Sequence, residues 1–236
     1  MQLLMTFLYL IPYLPLIIIG ILILKLYIPF RNSEYKDESG NTFLETVTNK
    51  GNYAEYLAFS YLEKLDVHSN IMTNLYIPRE DGTTTEVDLV MISNKGIYVI
   101  ESKNYGGWIY GNDKNTMWTQ TLPGNKKNHF YNPIWQNAGH ISAIKRVLED
   151  DRDGLYKSYI VFSERCTLKK ISLDTDDVVI IKRNQLIKSI NSELDNVEDI
   201  LTEKEVFKYY WKLRYFRRAS DQIKSKHIES IRNRLS

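Results

Sequence analysis

Cysteine is almost absent from this 236-residue chain, in which Cys166 stands alone. A chain with one cysteine forms no intrachain disulfide, as suits a protein of a reducing compartment. Catalytic thiol chemistry would need a partner histidine, and the residues around Cys166 include none. We therefore expect Cys166 to serve as a small buried hydrophobe.

Charged side chains are missing from residues 3–24. About 22 residues in a helix, at a rise of ~1.5 Å each, are long enough to cross a hydrocarbon core of ~30 Å. Pro12 and Pro15 would kink this helix, which a membrane helix tolerates better than a soluble one. A cleaved signal peptide fits poorly, because no positive segment precedes the apolar run and no small-x-small cleavage site follows it. The sequence predicts a transmembrane anchor at residues 1–28, in contact with the membrane through residues 3–24.

The first positive side chains, Lys25, Arg31 and Lys36, all follow the apolar stretch. An excess of Lys and Arg marks the cytoplasmic side of a membrane helix. We therefore expect a single-pass protein of the cell membrane, with the N-terminus outside and the soluble domain in the cytoplasm.

Net charge is also small, at +2, so the total indicates no particular partner. The distribution is uneven, since residues 196–236 form a basic, aromatic segment that we expect to be helical. Its candidate nucleic-acid-binding cations are Lys212, Arg214, Arg217 and Arg218. They alternate with aromatic residues, and such a mixture can neutralise phosphates and stack on bases. A helix with an aromatic core stripe and a basic face, or a segment on anionic lipid, would give the same pattern.

Two apolar, β-branched runs at residues 86–92 and 97–103 flank a turn-rich segment at residues 93–96. This pattern predicts a β-hairpin. With a loop of two or four residues, Asp88 lies opposite Glu101, and their Cβ atoms are ~5 Å apart. Lys103 follows on the same face as Glu101. A three-residue loop ending in a bulge at Gly96 would break this register.

Opposed carboxylates at Asp88 and Glu101 would repel each other in partly desolvated surroundings. A divalent cation removes the conflict, because Mg2+ is usually held by one or two carboxylates together with water and substrate phosphate. The two residues are thus predicted ligands of Mg2+ (or Mn2+), and Lys103 could hold an attacking water or stabilise charge on a phosphate. A cross-strand salt-bridge cluster on a solvated sheet face is the alternative.

Helix and strand signals alternate along the rest of the chain. They predict helices at 51–65, 184–190 and 203–216, strands at 70–77, 159–162 and 178–181, short strands within 105–119 and a loop at 123–129. Asn132 and Pro133 are an N-cap and a first helical residue. Gln136 and His140 share one face of that helix, where a lone His is more often a hydrogen-bonded surface or core residue than a ligand. Residues 29–48 are expected to be a linker, and residues 49–195 one domain.

Several short motifs follow one another between residues 51 and 148: Gly51-x-x-x-Glu55 at a helix start, Glu86-Val87-Asp88, Glu101-Ser102-Lys103-Asn104-Tyr105, Gly107 and Gly111 around Trp108-Ile109-Tyr110, Trp118, and Asn132-Pro133-Ile134-Trp135-Gln136-Asn137. In this order they resemble the NERD (nuclease-related) domain, which is grouped with the PD-(D/E)XK nuclease-like superfamily. Two positions depart from the family pattern. Ala54 stands where glycine is expected, and Leu89 stands where family members often carry histidine.

The resemblance implies an α/β fold, with a restriction-endonuclease-like core in which a mixed central β-sheet is flanked by helices. It makes Asp88 and Glu101 the metal ligands and Lys103 the catalytic lysine. Glu55 becomes a helix-borne acid near the metal, and Gln136 an accessory polar residue. The expected function is a membrane-anchored, Mg2+-dependent nuclease acting on DNA or RNA. The alternative is a non-catalytic module with the same fold, which binds nucleic acid or recruits protein partners at the membrane.

Overall fold

The structure, a computed structural model, describes residues 13–217 and the single residues 219, 225 and 229. Its helices are α1 (Leu14–Asn32), α2 (Tyr35–Ser39), α3 (Phe43–Thr48), α4 (Lys50–Leu62), α5 (Pro133–Leu148), α6 (Leu186–Asn196) and α7 (Glu203–Arg214). Its strands are β1 (Ser69–Pro78), β2 (Thr84–Ser93), β3 (Gly96–Lys103), β4 (Gly107–Asn112), β5 (Met117–Leu122), β6 (Lys126–Tyr131), β7 (Tyr156–Phe162), β8 (Cys166–Ser172) and β9 (Val178–Lys182).

A mixed sheet forms the centre, as predicted, and its strand order is β1-β2-β3-β7-β9. Strands β1, β2 and β3 are antiparallel neighbours, whereas β3, β7 and β9 run parallel. A second mixed sheet, of order β6-β5-β4-β8, was not predicted as a separate layer. It arises because β3 and β7 are parallel, and the chain continues from each of them into a strand of the second sheet. Those two strands, β4 and β8, pair in parallel as well.

Helices cover both faces of the central sheet. On one face, α5 and α7 pack through Ala143, Ile144, Leu148, Val206, Tyr209 and Leu213 against a core that includes Val90, Ile92, Ile97 and Val99. On the other face, α4 and α6 pack through Tyr56, Phe59, Leu62, Leu186 and Ile190 against Leu89, Met91, Tyr98 and Ile100. The described part of the C-terminal segment therefore belongs to the same hydrophobic core as the central sheet.

Helix α5 is held at its start and along its buried side. The Asn132 side chain accepts a hydrogen bond from the Ile134 N–H at 3.0 Å, which confirms the predicted N-cap. Asn137 Nδ2 donates to the Val99 carbonyl and to Ser158 Oγ, both at 2.9 Å. These bonds fix the rotation of α5 on the sheet, and with it the positions of Gln136 and His140.

Close packing explains why glycines flank residues 108–110. A Cβ on Gly111 would lie 2.0 Å from the ring of Trp118, which is fully buried. Gly107 has a φ of 75°, and a Cβ there would meet the Thr121 carbonyl oxygen at 2.4 Å. Only glycine allows these close approaches, so this part of the motif shapes the second sheet.

The described part of the predicted membrane segment is helix α1, which begins at Leu14. Pro15 lies in its first turn, where a proline is tolerated, so it starts the helix and does not kink it. The large apolar side chains of α1 up to Ile28 are exposed. Among the described residues, α1 is the one helix whose length and apolar composition would allow it to cross a membrane. The predicted span overlaps α1 only from residue 14, and residues 1–12 lie outside the described part.

Residues 29–48, expected to be a linker, contain α2 and α3 and contribute to the core. Phe30 and Tyr35 are buried, and the ring of each lies about 5.5 Å from that of Tyr56 on α4. Phe30 lies in the last turn of α1, and Tyr35 is the one aromatic residue of α2. No helical period arises from that spacing, so the sequence pattern does not reveal the packing.

Two other expectations have clear outcomes. Cys166 is a buried free cysteine in the core between the sheets, as expected, and burial raises the pKa of its thiol.

The loop predicted at 123–129 contains the edge strand β6 instead. Its Lys, Asn and His side chains are typical of an exposed edge and carry no apolar alternation.

Candidate active site

The hairpin of β2 and β3 has the predicted register. Ser93 pairs with Gly96 and Leu89 with Ile100, so the loop has two residues, Asn94 and Lys95. Asp88 and Glu101 are the next positions along the two strands. The paired ladder ends before them, because β2 continues along β1 while β3 continues along β7. The two acids thus lie where the strands diverge.

Asp88 occupies the opening between the two strands. Its Oδ2 accepts a hydrogen bond from the Ser102 N–H at 2.8 Å. Strict alternation would place Asp88 on the face of Val90, but Val87 and Val90 both join the same core cluster, so the alternation is interrupted at Asp88. Burial, together with the charges of Glu101 and Glu55, raises the pKa of the Asp88 carboxyl well above its ordinary value.

Glu101 is only 1% exposed, and both of its carboxylate oxygens have partners. Oε1 lies 2.6 Å from Lys103 Nζ, and Oε2 lies 2.9 Å from His140 Nε2. Burial alone would raise the pKa of this carboxyl, but Lys103 and His140 outweigh that effect and the pKa is lowered. Glu101 is therefore held as a carboxylate in a fixed orientation.

Lys103 bridges the strand and helix α5. Its Nζ donates to Glu101 and also to Gln136 Oε1, at 2.9 Å. Burial alone would lower its pKa, but Glu101 and Asp88 outweigh burial and raise it. An ammonium group has three N–H donors, so one remains beyond these two contacts.

His140 is buried and connects Glu101 to β2. An ionised carboxylate only accepts hydrogen bonds, so His140 Nε2–H is the donor to Glu101. His140 Nδ1 lies 2.8 Å from Thr85 Oγ1, and that oxygen also accepts from Arg79 Nη2 at 2.7 Å. A chain of polar contacts thus supports Glu101 from behind.

Glu55 approaches from α4 on the other side of the sheet. Its Oε2 is 3.4 Å from Thr73 Oγ1, which itself donates to the Asp88 carbonyl at 2.7 Å. Burial raises the pKa of the Glu55 carboxyl to about 8, with a further contribution from the negative charge of Glu86. Glu55 is therefore within electrostatic range of Asp88 and Glu101, although no direct contact joins it to them.

The carboxylates of Asp88, Glu101 and Glu55 are chemically suited to bind a hard divalent cation. Oxygen donors are the ligands that Mg2+ and Mn2+ prefer. Burial, and to a smaller extent the neighbouring carboxylates, raise the pKa values of Asp88 and Glu55, and a bound cation would favour their ionised forms. Within the described ranges, no three His, Cys, Asp or Glu side chains are already grouped as a metal site. Water and substrate oxygens would complete the coordination, as is usual for Mg2+.

The structure brings together five of the predicted residues and leaves the C-terminal cations apart. Lys212 Nζ is 3.3 Å from Glu149, beyond the C-terminal end of α5. Arg214 lies over the rings of Tyr210 and Trp211. Arg217 forms an ion pair with Glu38, and Arg218 lies outside the described residues. Since α7 buries an apolar stripe, Lys212 and Arg214 lie on its rim, and binding of nucleic acid by the C-terminal cations stays a prediction.

Sequence reasoning did not connect His140, Thr85 or the Ser102 N–H to the site. The signal for His140 was its position four residues after Gln136, which places both on the site-facing side of α5. Thr85 carried no comparable signal, because its contact depends on how α5 crosses β2.

A mixed sheet between helices, with two acids and a lysine at the diverging ends of β2 and β3, defines a nuclease-like α/β protein. The model of the family described as nuclease-related domain (NERD) matches residues 50–163. A Bacillus anthracis protein described as uncharacterized is 34% identical over 188 residues, which cover 79% of this chain and 86% of that protein. The chain belongs to the NERD family. No solved structure matches it significantly.

Proposed function

We propose that the protein is a membrane-anchored, Mg2+-dependent nuclease that hydrolyses phosphodiester bonds of DNA or RNA. The observation that carries the proposal is the arrangement of Lys103 against Glu101, directly beside Asp88 where the strands diverge. Membership of the NERD family supports a nucleic-acid substrate.

Asp88 and Glu101 would hold the cation, with Glu55 acting directly or through water. When bound, Mg2+ or Mn2+ would polarise the scissile phosphate and lower the pKa of a bound water. Lys103 donates its remaining N–H to the attacking water or to a phosphate oxygen, while Glu101 and Gln136 fix the ammonium group in place. His140 prevents rotation of the Glu101 carboxylate.

The test uses the full chain in detergent with mixed DNA and RNA substrates under Mg2+, Mn2+ or a chelator. Glu101→Gln and Lys103→Met keep the side-chain volume and should each lower cleavage by at least about 100-fold, as expected for loss of a group that acts on the transition state. Lys188→Gln removes one charge from exposed α6 and should cleave normally. Equal cleavage by the wild type and both site variants would exclude this mechanism.

The anchor has its own test. The exposed apolar surface of α1 should keep the full chain in the membrane fraction at high salt and alkaline pH. A chain that starts at residue 29 keeps the packing of Phe30 on Tyr56 and should leave the membrane fraction. Release of the full chain by alkaline wash would contradict the anchor.

A non-catalytic nucleic-acid-binding module is the second candidate. It is favoured by one observation, namely that both oxygens of Glu101 already have partners in Lys103 and His140. Binding to oligonucleotides that weakens steeply with salt, with no cleavage under any divalent cation, would support it.

A further inference from the structure

A cavity of about 610 Å³ opens beside Lys103, between the end of β3, the start of α4 and the second sheet. It is lined by Lys50, Ser102, Lys103, Asn104, Tyr105, Gly106, Gln120, Leu122 and Arg165. The lysine that contacts Glu101 on one side therefore borders this cavity on the other. The acids predicted to hold the metal do not line it.

The lining is positively charged. It includes Lys50, Lys103 and Arg165, and the described residues that form it include no Asp or Glu. Lys103 is already paired with Glu101. Lys50 forms no ion pair with the described residues, and the acid next to Arg165, Glu164, is paired with Arg183, so both cations can attract an anion.

Arg165 is oriented by neutral groups. Its Nη2 donates to the Asn104 side-chain oxygen at 2.8 Å and to the Asn104 carbonyl at 3.3 Å, and its Nε donates to Ser163 Oγ at 3.3 Å. These contacts fix the plane of the guanidinium without neutralising it. They also leave its Nη1 without a hydrogen bond to any described residue. A planar guanidinium with free N–H groups is suited to bind a phosphate.

Lys50 is tied to the same loop. Asn104 Nδ2 donates to the Lys50 carbonyl at 2.6 Å, so one side chain connects the first residue of α4 with Arg165. The first amides of α4 are occupied, because Gly51 N–H and Asn52 N–H donate to Asn49 Oδ1. Any anion at this end of α4 would thus be bound through the Lys50 side chain, aided by the helix dipole.

We propose that this cavity binds a phosphate group of a nucleic-acid strand, adjacent to the phosphodiester at Lys103, with Arg165 and Lys50 as the contacting cations. The inference rests on the proposed function, which places the reacting bond at Lys103. The Tyr105 ring and the Gln120 side chain border the same space and can contact the attached sugar or base. The phosphate is either an internal diester or a terminal 5′-phosphate.

The test measures binding of full-length protein in detergent to fluorescent single-stranded and duplex oligonucleotides in the presence of a chelator. Each strand is made with a 5′-phosphate or a 5′-hydroxyl. Arg165→Gln should weaken binding by about 5- to 20-fold and reduce the salt slope by about one, as for loss of one phosphate contact. Lys50→Gln should weaken binding by about 2- to 5-fold. Arg165→Lys should keep the salt slope but recover only part of the affinity, because lysine lacks the planar fork. Lys188→Gln is the matched control and should change affinity less than twofold.

If the wild type prefers strands with a 5′-phosphate and Arg165→Gln loses that preference, the cavity binds the strand terminus. If Arg165→Gln loses the same affinity for 5′-phosphate and 5′-hydroxyl strands, the cavity binds an internal diester. Wild-type affinity and salt slope in Arg165→Gln, or no binding by the wild type, would overturn the phosphate site. These binding measurements need no cleavage, so the two proposals can fail separately. If Arg165→Gln binds more weakly but the wild type does not cleave nucleic acid, only the nuclease proposal is rejected. Unchanged binding by Arg165→Gln with an active wild type would reject the phosphate site alone.

Discussion

His140 Nε2 lies 2.9 Å from Glu101 Oε2, inside the core and behind the predicted metal ligands. The opposite oxygen of the same carboxylate is 2.6 Å from Lys103 Nζ. Glu101 is therefore clamped between a group on α5 and a group on its own strand. Because a ligand held by a partner behind it needs less reordering to bind a cation, His140 is a positioning residue for Glu101.

Replacing His140 with alanine should raise the Mg2+ concentration needed for half-maximal cleavage by about 10- to 100-fold, as for loss of a hydrogen bond to a metal ligand. His140→Gln keeps a side-chain donor and should recover part of this loss. The measurement is a Mg2+ titration of cleavage, and exposed His68→Gln is the control. A His140→Ala protein with reduced stability but an unchanged Mg2+ requirement would show that His140 only fills space.

Divalent cations should stabilise the folded protein through Asp88. At ten times its dissociation constant, a bound ion adds ~1.4 kcal/mol to the free energy of unfolding, which corresponds to a Tm increase of roughly 3–5 °C for a domain of this size. Asp88→Asn can still accept the Ser102 N–H, yet it loses the charge, so most of the increase should vanish. Thermal denaturation with and without Mg2+ measures this effect. Asp176→Asn, in an exposed loop, should respond like the wild type.

The raised pKa of Glu55 predicts a pH dependence of stability in chelator. The unfolded carboxyl titrates near 4.5 and the folded one at about 8. Between these values the unfolded state releases the proton first, so stability present at low pH is lost as the pH rises. Glu55→Gln removes this titration, and its Tm should fall less than that of the wild type between pH 5.5 and 8, by roughly 6–12 °C. Glu198→Gln, at an exposed position, is the control. Parallel Tm curves for the wild type and Glu55→Gln would contradict the assignment.

The ion pair of Arg217 with Glu38 predicts a structural role for a residue that sequence reasoning assigned to nucleic acid. Both side chains are about 10% exposed, and their atoms are 2.5 Å apart. Arg217→Ala leaves the Glu38 charge buried and unpaired, which should destabilise the fold by about 3 kcal/mol. Adding Glu38→Gln should restore much of that loss. Chemical denaturation of the two single variants and the double variant measures the coupling. Additive effects would show that the pair does not stabilise the fold.

Local patterns predicted much of the central architecture correctly. The hairpin register followed from two apolar runs and a two-residue turn, because the period of a strand is two and the loop sets the pairing. The start of α5 followed from Asn132 and Pro133, since capping is a local interaction. The packing of Phe30 and Tyr35 on α4 left no pattern, because each of these segments contributes only one aromatic residue to the contact.

The sequence by itself determined that Asp88, Glu101 and Lys103 belong to one hairpin and that a long apolar segment precedes the domain. Only the tertiary structure decided that the strands part at Asp88, that His140 supports Glu101 from behind, and that Arg165 and Lys50 line one cavity beside Lys103. Side-chain spacing within a strand or helix is fixed by backbone geometry. Contacts between distant segments depend instead on how whole helices and sheets pack, and hydrophobic burial sets that packing without marking the polar residues it brings together.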